Sequence, residues 1–255
     1  MKITFLGTGT SQGVPVIACN CEVCKSLDYR DKRLRSSVLI ETQDLQFIVD
    51  TGPDFRQQML RERVRKLDAV LFTHAHKDHT AGMDDIRSFN FLQKKEMPLY
   101  GQQETLDQLK AEFAYIFSGS QYPGLPQVSL NPIENAAFDV GGTEVIPIEV
   151  MHHKLPVFGY RIGDFTYITD ANFISEDEKK KIEGSEVIVL NALQKKEHIS
   201  HFTLDEAVAL LQELKPKKAY LTHISHNLGS HSDVSKELPE NIYLAHDGLT
   251  VSLGN

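Results

Sequence analysis

The sequence has few cysteines and no tryptophan: three Cys and zero Trp in 255 residues. A disulfide framework needs paired cysteines and an oxidising compartment, so the class of disulfide-rich secreted proteins does not fit this chain. No stretch approaches the ~18 apolar residues that a membrane helix needs. The first residues enter a strand-like pattern without the apolar segment of a signal peptide. We therefore expect a cytoplasmic protein with no membrane partner.

Positive charge is also scarce. The chain carries 27 Lys+Arg against 35 Asp+Glu, which gives a formal net charge of -8. Proteins that bind nucleic acid neutralise its phosphates with clustered Lys and Arg, so we expect no nucleic-acid partner. A hydrophobic content of 41% is sufficient for a core, and the length fits one large domain. The sequence predicts a single domain over residues 1–255.

Short β-rich runs dominate the sequence, and helices separate them. A capping box from Thr203 to Glu206 predicts the clearest helix, which Pro216 ends. Further helices are predicted from Ser175 and over 104–117. The order of elements predicts an α/β fold of two sheets covered by helices, with the longest loop, a candidate substrate wall, at 118–132. Strands are predicted at 3–6, 37–41, 46–50, 69–73, 143–150, 157–162, 165–169, 187–191, 218–222, 242–244 and 249–252.

The richest cluster of candidate ligands is His74-Ala75-His76-Lys77-Asp78-His79, directly after an apolar strand. Residues two apart in an extended segment point the same way, so His74 and His76 can reach one ion. Asp78 and His79 lie on the turn into the next helix and can face a second ion. Neutral imidazole and carboxylate groups suit Zn²⁺, Mn²⁺ or Fe²⁺. The sequence therefore predicts a metal site at the end of this strand.

The three cysteines all lie in the segment Cys19-Asn20-Cys21-Glu22-Val23-Cys24. Three thiolates at this spacing are typical of three corners of a tetrahedral zinc site, which needs a fourth sulfur or nitrogen ligand from elsewhere. We expect that ligand to be a histidine. The alternative is that these are ordinary reduced cysteines in a loop.

The motif His-x-His-x-Asp-His resembles the signature of the metallo-β-lactamase superfamily. The resemblance implies an αββα sandwich of two mixed sheets flanked by helices, with two divalent metal ions at the sheet edge. It also implies that Asp50 braces the metal histidines. His153 is an alternative to His152 as the third histidine ligand of the first metal. The implied ligands are His74, His76 and His152 for one metal, Asp78, His79 and His223 for the other, and Asp170 as the bridge between them.

Two segments make the resemblance specific to one subgroup of the superfamily. They are the cysteine loop and Leu221-Thr222-His223-Ile224-Ser225-His226. Both segments are similar to the subgroup that contains the phosphoribosyl cyclic phosphate phosphodiesterase of the carbon-phosphorus lyase pathway. That resemblance implies that His201 and Asp170 are catalytic, while His198 either binds substrate phosphate or is exposed. The coenzyme PQQ synthesis B family shares a similar cysteine loop. The structural zinc implied by the subgroup is held by Cys19, Cys21, Cys24 and His226.

These expectations define a metal-dependent hydrolase. The leading hypothesis is a phosphodiesterase that cleaves a small, cyclic phosphate ester with a hydroxide activated by two divalent metals, Zn²⁺, Mn²⁺ or Fe²⁺. Two alternatives stay open: an acyl or thioester hydrolase on the same scaffold, and a non-hydrolytic metal or cofactor protein like PQQ synthesis B. The expected partner is a small phosphorylated substrate, and the resemblance allows a homodimer. The basic run 33–35 is expected to be solvated surface unless it contacts phosphate.

Overall fold

Two mixed β-sheets face each other in the computed structural model, which describes residues 1–119 and 122–254. The strands, in chain order, are β1 (Lys2–Gly7), β2 (Ser37–Glu41), β3 (Gln46–Val49), β4 (Ala69–Leu71), β5 (Met97–Gly101), β6 (Val128–Pro132), β7 (Phe138–Val140), β8 (Thr143–His152), β9 (Leu155–Ile162), β10 (Phe165–Tyr167), β11 (Phe173–Ile174), β12 (Val187–Asn191), β13 (Lys218–Thr222), β14 (Ile242–Leu244) and β15 (Thr250–Ser252).

The strand order within each sheet brings parallel strands together. In the described residues the first sheet runs β15-β1-β2-β3-β4-β5-β6 and is parallel from β3 to β6. The second runs β11-β8-β9-β10-β12-β13-β14, with β7 paired to β8, and is parallel from β10 to β14. Ligands of such sheets bind where the carboxyl ends of parallel strands meet, so these ends are the place to look for a site.

Helices cover the outer face of each sheet. Among the helices described, none is long and apolar enough to cross a membrane. Short 3₁₀ turns occupy Tyr29–Asp31 and Met83–Ile86. The α-helices are α1 (Glu22–Lys25), α2 (Phe55–Arg61), α3 (Lys77–Thr80), α4 (Arg87–Gln93), α5 (Gln103–Glu112), α6 (Glu176–Ile182), α7 (Leu204–Leu214) and α8 (His231–Glu237).

Alternation along the strands explains the layered packing, because successive side chains point to opposite faces of a sheet. In β3, Phe47 and Val49 belong to the core between the two sheets, whereas Ile48 packs toward the outer helices with Phe55. In β12, Val189 likewise faces the first sheet and its neighbours face the helical side. The arrangement is the predicted αββα sandwich.

Two predictions about the middle of the chain were wrong in extent. The predicted helix over 104–117 ends at Glu112, because Phe113 leaves helical geometry and packs with Ile116 against the core beneath α5. The predicted loop over 118–132 includes β6, which pairs in parallel with β5. Pro132 is tolerated there because β6 is an edge strand. Residues 120 and 121 of the same predicted loop lie outside the described residues.

Candidate functional site

The predicted metal motif leaves the first sheet at the carboxyl end of β4. Two groups of β9, in the opposite sheet, hold its backbone: the Tyr160 hydroxyl donates to the Phe72 carbonyl at 2.6 Å, and the Phe158 amide donates to the Thr73 carbonyl at 3.0 Å. The segment then turns into α3, whose N-cap is His76. The motif therefore lies between the edges of the two sheets.

A glycine allows a second segment to approach the motif closely. The backbone amide of Thr51 donates to the His79 carbonyl at 2.8 Å. At the next residue, Gly52, a Cβ atom would lie only 2.2 Å from the carbonyl oxygen of Asp78. Any other residue would push the β3–α2 turn away from α3. Gly52 thus keeps the preceding Asp50 against the motif.

The first predicted set of ligands comes together. His74, His76, His152 and Asp170 each place one ligand atom within 4.8 Å of the others. His74 Nε2 lies 2.9 Å from His76 Nδ1 and 3.8 Å from Asp170 Oδ2. The structure places His152, and not the exposed His153, in this group.

The second predicted set also comes together, and it shares one member with the first. Asp78, His79, Asp170 and His223 place their ligand atoms within 4.8 Å of one another. His79 Nε2 lies 3.1 Å from Asp78 Oδ2 and 3.4 Å from Asp170 Oδ1. His223 Nδ1 lies 3.1 Å from the same Asp170 oxygen.

Asp170 stands between the two groups. Its Oδ1 faces His79 and His223, and its Oδ2 faces His74. The residue follows β10 with a left-handed φ of 54°, and His223 follows β13 with a φ of 55°. Backbone of this kind is strained for most residues other than glycine, and it collects at functional sites. Here it turns both side chains out of the strand ends toward the same space.

Asp50 orients two histidines of the motif, His79 directly and His74 through Thr73. This fully buried carboxylate accepts hydrogen bonds from the Thr73 amide and hydroxyl, both at 2.9 Å, and from His79 Nδ1 at 2.6 Å. Since the Thr73 hydroxyl gives its proton to Asp50, its oxygen is free to accept one from His74 Nδ1 at 2.9 Å. The Nδ1 atoms of His74 and His79 are therefore protonated, and their Nε2 lone pairs point into the two groups.

Sequence reasoning identified Asp50 but missed other groups that orient the histidines. His152 Nδ1 donates to the Ser200 carbonyl at 2.9 Å, which leaves its Nε2 for the first group. Ser36 Oγ and Thr10 Oγ1 lie 3.3 and 3.4 Å from the two ring nitrogens of His223. Thr73 could have been found, because it is adjacent to the motif, whereas a backbone carbonyl such as that of Ser200 has no sequence signal.

The donor sets fit divalent cations. His79 Nε2 is buried without a hydrogen-bond partner among the described residues, and its lone pair faces two carboxylates. A lone pair opposed to two anions is unfavourable unless positive charge lies between them. Imidazole and carboxylate ligands are those that zinc, manganese and iron accept.

The pKa shifts of His79 and Asp170 also indicate that positive charge is favoured between these groups. Burial lowers the pKa of His79, but Asp78, Asp170 and Asp50 outweigh it and raise this pKa well above its usual value. Burial raises the pKa of Asp170, yet His223 and His79 hold it well below the usual range. Burial lowers the pKa of His223 to about 4, so this ring is neutral near pH 7, as a metal ligand must be.

The predicted cysteine group is assembled around one imidazole. The Sγ atoms of Cys19, Cys21 and Cys24 lie 3.3, 3.4 and 3.5 Å from His226 Nδ1. Zinc bonds of ~2.3 Å to sulfur and ~2.0 Å to nitrogen at tetrahedral angles would separate S and N by about 3.5 Å. A hydrogen bond from the Cys24 amide lowers the pKa of the Cys21 thiol to about 6, which favours the thiolate. The group fits a zinc ion.

His201 lies beside the shared carboxylate. It precedes the capping box of α7, and its Nε2 lies 3.3 Å from Asp170 Oδ2. Its ring stacks on His223 with centroids 5.0 Å apart. Its other nitrogen, Nδ1, lies 3.2 Å from Nδ1 of the half-buried His198. Burial, with a further contribution from His201, lowers the pKa of His198.

The basic run over 33–35 is not the solvated surface that was expected. Arg33 is 4% exposed and donates to the Thr8 hydroxyl at 2.8 Å and to the Ala245 carbonyl at 2.6 Å. Arg35 pairs with Asp54 at 3.1 Å. Both arginines are therefore engaged within the fold.

Comparisons with known proteins agree with this architecture. A sequence profile of the β-lactamase superfamily domain matches residues 46–224. A solved structure, described as a new diphosphatase from the PhnP family, is 39% identical, covers 99% of this chain and 98% of its own, and superposes with a TM-score of 0.93.

Two curated relatives are longer than this chain. An octanoyltransferase of Porphyromonas gingivalis is 37% identical over 252 residues, which are 98% of this chain and 51% of that relative. A ribonuclease Z of Bradyrhizobium diazoefficiens is 28% identical over 162 residues, 62% of this chain and 48% of that relative. The chain thus spans about half the length of the two relatives. The resemblance predicted from the motifs is confirmed by the profile and by the αββα sandwich, and the chain belongs to the β-lactamase superfamily.

Proposed function

We propose that the protein is a metal-dependent hydrolase that cleaves a phosphodiester-type bond in a small, cyclic phosphate ester. The observation that carries the proposal is the position of Asp170, whose two carboxylate oxygens face two separate groups of histidines. A shared carboxylate of this kind suits two cations held side by side, which is the arrangement of many enzymes that act on phosphate esters.

The residues that would hold the cations are those of the two groups. His74, His76 and His152 would hold one ion, and Asp78, His79 and His223 the other, with Asp170 between them. When bound, two divalent cations polarise a phosphoryl oxygen, lower the pKa of water and stabilise the charge of entering and leaving oxygens. We propose zinc for the cysteine group as a third, structural ion.

His201 is proposed to supply the proton that the leaving oxygen needs. It is within 3.3 Å of Asp170, and so borders the place where both groups meet. Its contact with His198 links it to a half-buried ring nearer the surface, which provides a route for the proton to be replaced. A general acid in such a position typically accelerates the reaction ~10²–10⁴-fold.

The substrate is proposed to enter beside the first group. A pocket of about 430 Å³ is lined there by His76, His152, His153, Lys154, Leu155 and Ser200. Lys154 is exposed and has no ion-pair partner among the residues that the structure describes, so its ammonium is free to meet a substrate phosphate. The pocket volume and the net charge of -8 both favour a small phosphorylated molecule over nucleic acid.

The relatives support a phosphorus centre. The PhnP-family structure carries the name diphosphatase and the shorter match carries the name ribonuclease Z, and both names denote cleavage of a bond to phosphorus. The name octanoyltransferase instead supports a carbonyl substrate. It belongs to a relative of which 51% matches this chain, so half of that protein lies outside the comparison.

The test is turnover of the metal-loaded protein on four substrates: bis(p-nitrophenyl) phosphate, a five-membered cyclic phosphate ester, an acyl thioester and a β-lactam. Elemental analysis of the same sample gives the metal count. We expect hydrolysis of the two phosphate diesters and two ions in addition to one zinc. Turnover of the thioester alone would assign the acyl alternative, and no turnover with all metals in place would favour the non-hydrolytic one.

Two variants test the assigned roles. Asp170→Asn retains a side chain that tolerates the left-handed backbone, and it should lose activity and one or both active-site metals. His201→Ala should keep its metals but slow the cyclic alkyl ester by ~10²–10⁴-fold. The same variant should affect p-nitrophenyl esters much less, because p-nitrophenolate leaves without a proton. Full activity and full metal content in Asp170→Asn would refute the shared-carboxylate site.

A further inference from the structure

A groove on the outer helical layer lies among residues that the proposed reaction does not use. It has a volume of about 390 Å³ and runs between α2 and α4. Phe55 and Phe89 form its floor, with ring centroids 6.3 Å apart. Leu60 on α2 and Leu92 on α4 line it as well, and each is 61% exposed. Two large aliphatic side chains thus remain in water at the sides of an apolar groove.

The rim of this groove is positively charged. Arg56, Arg63 and Arg65 line it, and within residues 1–119 and 122–254 none of the three has an ion pair or side-chain hydrogen bond. Most other arginines of the chain are engaged: Arg61, next to the groove, binds Glu62 and Asp247. Among the residues that the structure describes, Asp85 is the one carboxylate that lines the groove. In a protein of net charge -8, this is a local excess of unpaired positive charge.

The shape of the groove favours a helical occupant. Its two sides are helices, which present no strand edge to the groove. A bound strand would therefore find no free edge to pair with, whereas a helix satisfies its own backbone. Helix-in-groove recognition inserts apolar side chains at positions i, i+3, i+4 and i+7 between two such sides.

The spacing of the arginines favours an acidic protein segment over other occupants. Arg56 lies in the first turn of α2, whereas Arg63 and Arg65 follow the C-terminal end of this helix, which spans on the order of 10 Å at ~1.5 Å per residue. One carboxylate or phosphate cannot reach both ends, but successive acidic residues of a helix can. A symmetric dimer through this groove would place arginines against arginines, which is repulsive. Single-stranded RNA would need exposed aromatic rings for stacking, and both groove phenylalanines are buried.

We propose that the groove between α2 and α4 binds an acidic amphipathic helix of a partner protein. The apolar face of that helix covers Leu60 and Leu92, and its Asp and Glu side chains pair with Arg56, Arg63 and Arg65. The site is independent of the proposed hydrolysis, since the groove contains none of the residues of the metal groups.

The experiment identifies the contacting segment directly. The photoreactive residue p-benzoylphenylalanine replaces Leu92 in the full chain, which is expressed in its native cells and irradiated. Mass spectrometry then gives the sequence of the peptide attached at position 92. We expect one peptide with an excess of Asp and Glu and with apolar residues at helical spacing. Attachment to a second copy of this chain, to lipid or to RNA, or no attachment, would overturn the proposal.

The peptide so identified is then synthesised and titrated against the purified protein. Arg56→Glu combined with Arg65→Glu should weaken its binding about tenfold or more, and added salt should weaken binding to the wild type. Lys110→Glu combined with Lys218→Glu is the matched control, because it changes the net charge equally at exposed positions outside the groove. Both double variants should keep the wild-type melting temperature. Equal binding to the two double variants would overturn the proposal.

Discussion

Replacing Asp50 with asparagine tests whether the buried carboxylate beneath the motif sets metal affinity. Asp50 has a left-handed φ of 67°, which asparagine tolerates. The change therefore removes charge and one acceptor oxygen without new backbone strain. An amide NH₂ group then faces donors. If it takes the place of Oδ2, both His79 Nδ1 and the Thr73 hydroxyl lose their acceptor, and if it takes the place of Oδ1, the Thr73 amide loses its acceptor. Both histidines that depend on this network, His74 and His79, become less well oriented.

The expected loss follows from the contacts. Partners that orient a ligating histidine typically contribute ~10–100-fold in metal affinity, which corresponds to about 1.4–2.7 kcal/mol. Asp50 supports His79 directly and His74 through Thr73. We therefore expect Asp50→Asn to weaken both sites, with the larger effect at the site that contains His79.

Competition with a chromophoric chelator, monitored as zinc is added to protein whose cysteine group already holds its zinc, gives the dissociation constants of the two active-site ions. Thr73→Val is the matched variant, because it removes only the hydroxyl that connects Asp50 to His74. It should weaken the site that contains His74 and leave the other within about twofold. If Asp50→Asn bound zinc at both sites as tightly as the wild type, the reasoning from the hydrogen-bond network would be wrong.

Three further predictions concern other parts of the molecule. Cys21→Ser should lose one zinc per chain and lower the melting temperature while the active-site metals stay bound; retention of all zinc in elemental analysis would contradict the cysteine site. Lys154→Met should raise KM for a phosphate diester about tenfold with little change in kcat, whereas Lys196→Met, an exposed control, should change neither. Burial, with a further contribution from Arg33, lowers the pKa of His231 to about 4. In the unfolded chain His231 becomes protonated near its ordinary pKa of ~6.5, whereas in the folded protein it stays neutral until about pH 4. The free energy of unfolding is therefore highest above pH 6.5 and falls by on the order of 2 kcal/mol toward pH 4. Urea unfolding at pH 7.5 and 5 should show a smaller loss for His231→Gln, and identical losses would contradict this account.

Local signals determined much of the fold. The bounds of β2, β12, β13 and β14 agree with the predicted strands, because each is an apolar run between clear turn or helix signals. The helix α7 begins and ends as predicted, since both its capping box and its stop are encoded within a few residues.

Elements without such signals were missed. The strand β5 contains Pro98 although it pairs on both sides, and a proline argues against an inner strand in sequence analysis. The helices α2 and α4 have no side-chain N-cap. They are held by packing of Phe55 and Phe89 on the first sheet, which no local pattern reveals.

The sequence by itself determined the identity of the candidate ligands, because the motif from His74 to His79 concentrates them in six residues and the resemblance supplied the rest. The tertiary structure decided which atoms meet. It brought the Cys19 loop to His226, 207 residues away, and placed Asp170 between two groups that the chain contributes from separate strands. It also placed His152 in the first metal group while His153 is exposed, and it buried Arg33. The exposure of a side chain depends on which residues pack against it. Long-range contacts of this kind depend on strand order and register across two sheets, and no local stretch of sequence contains that information.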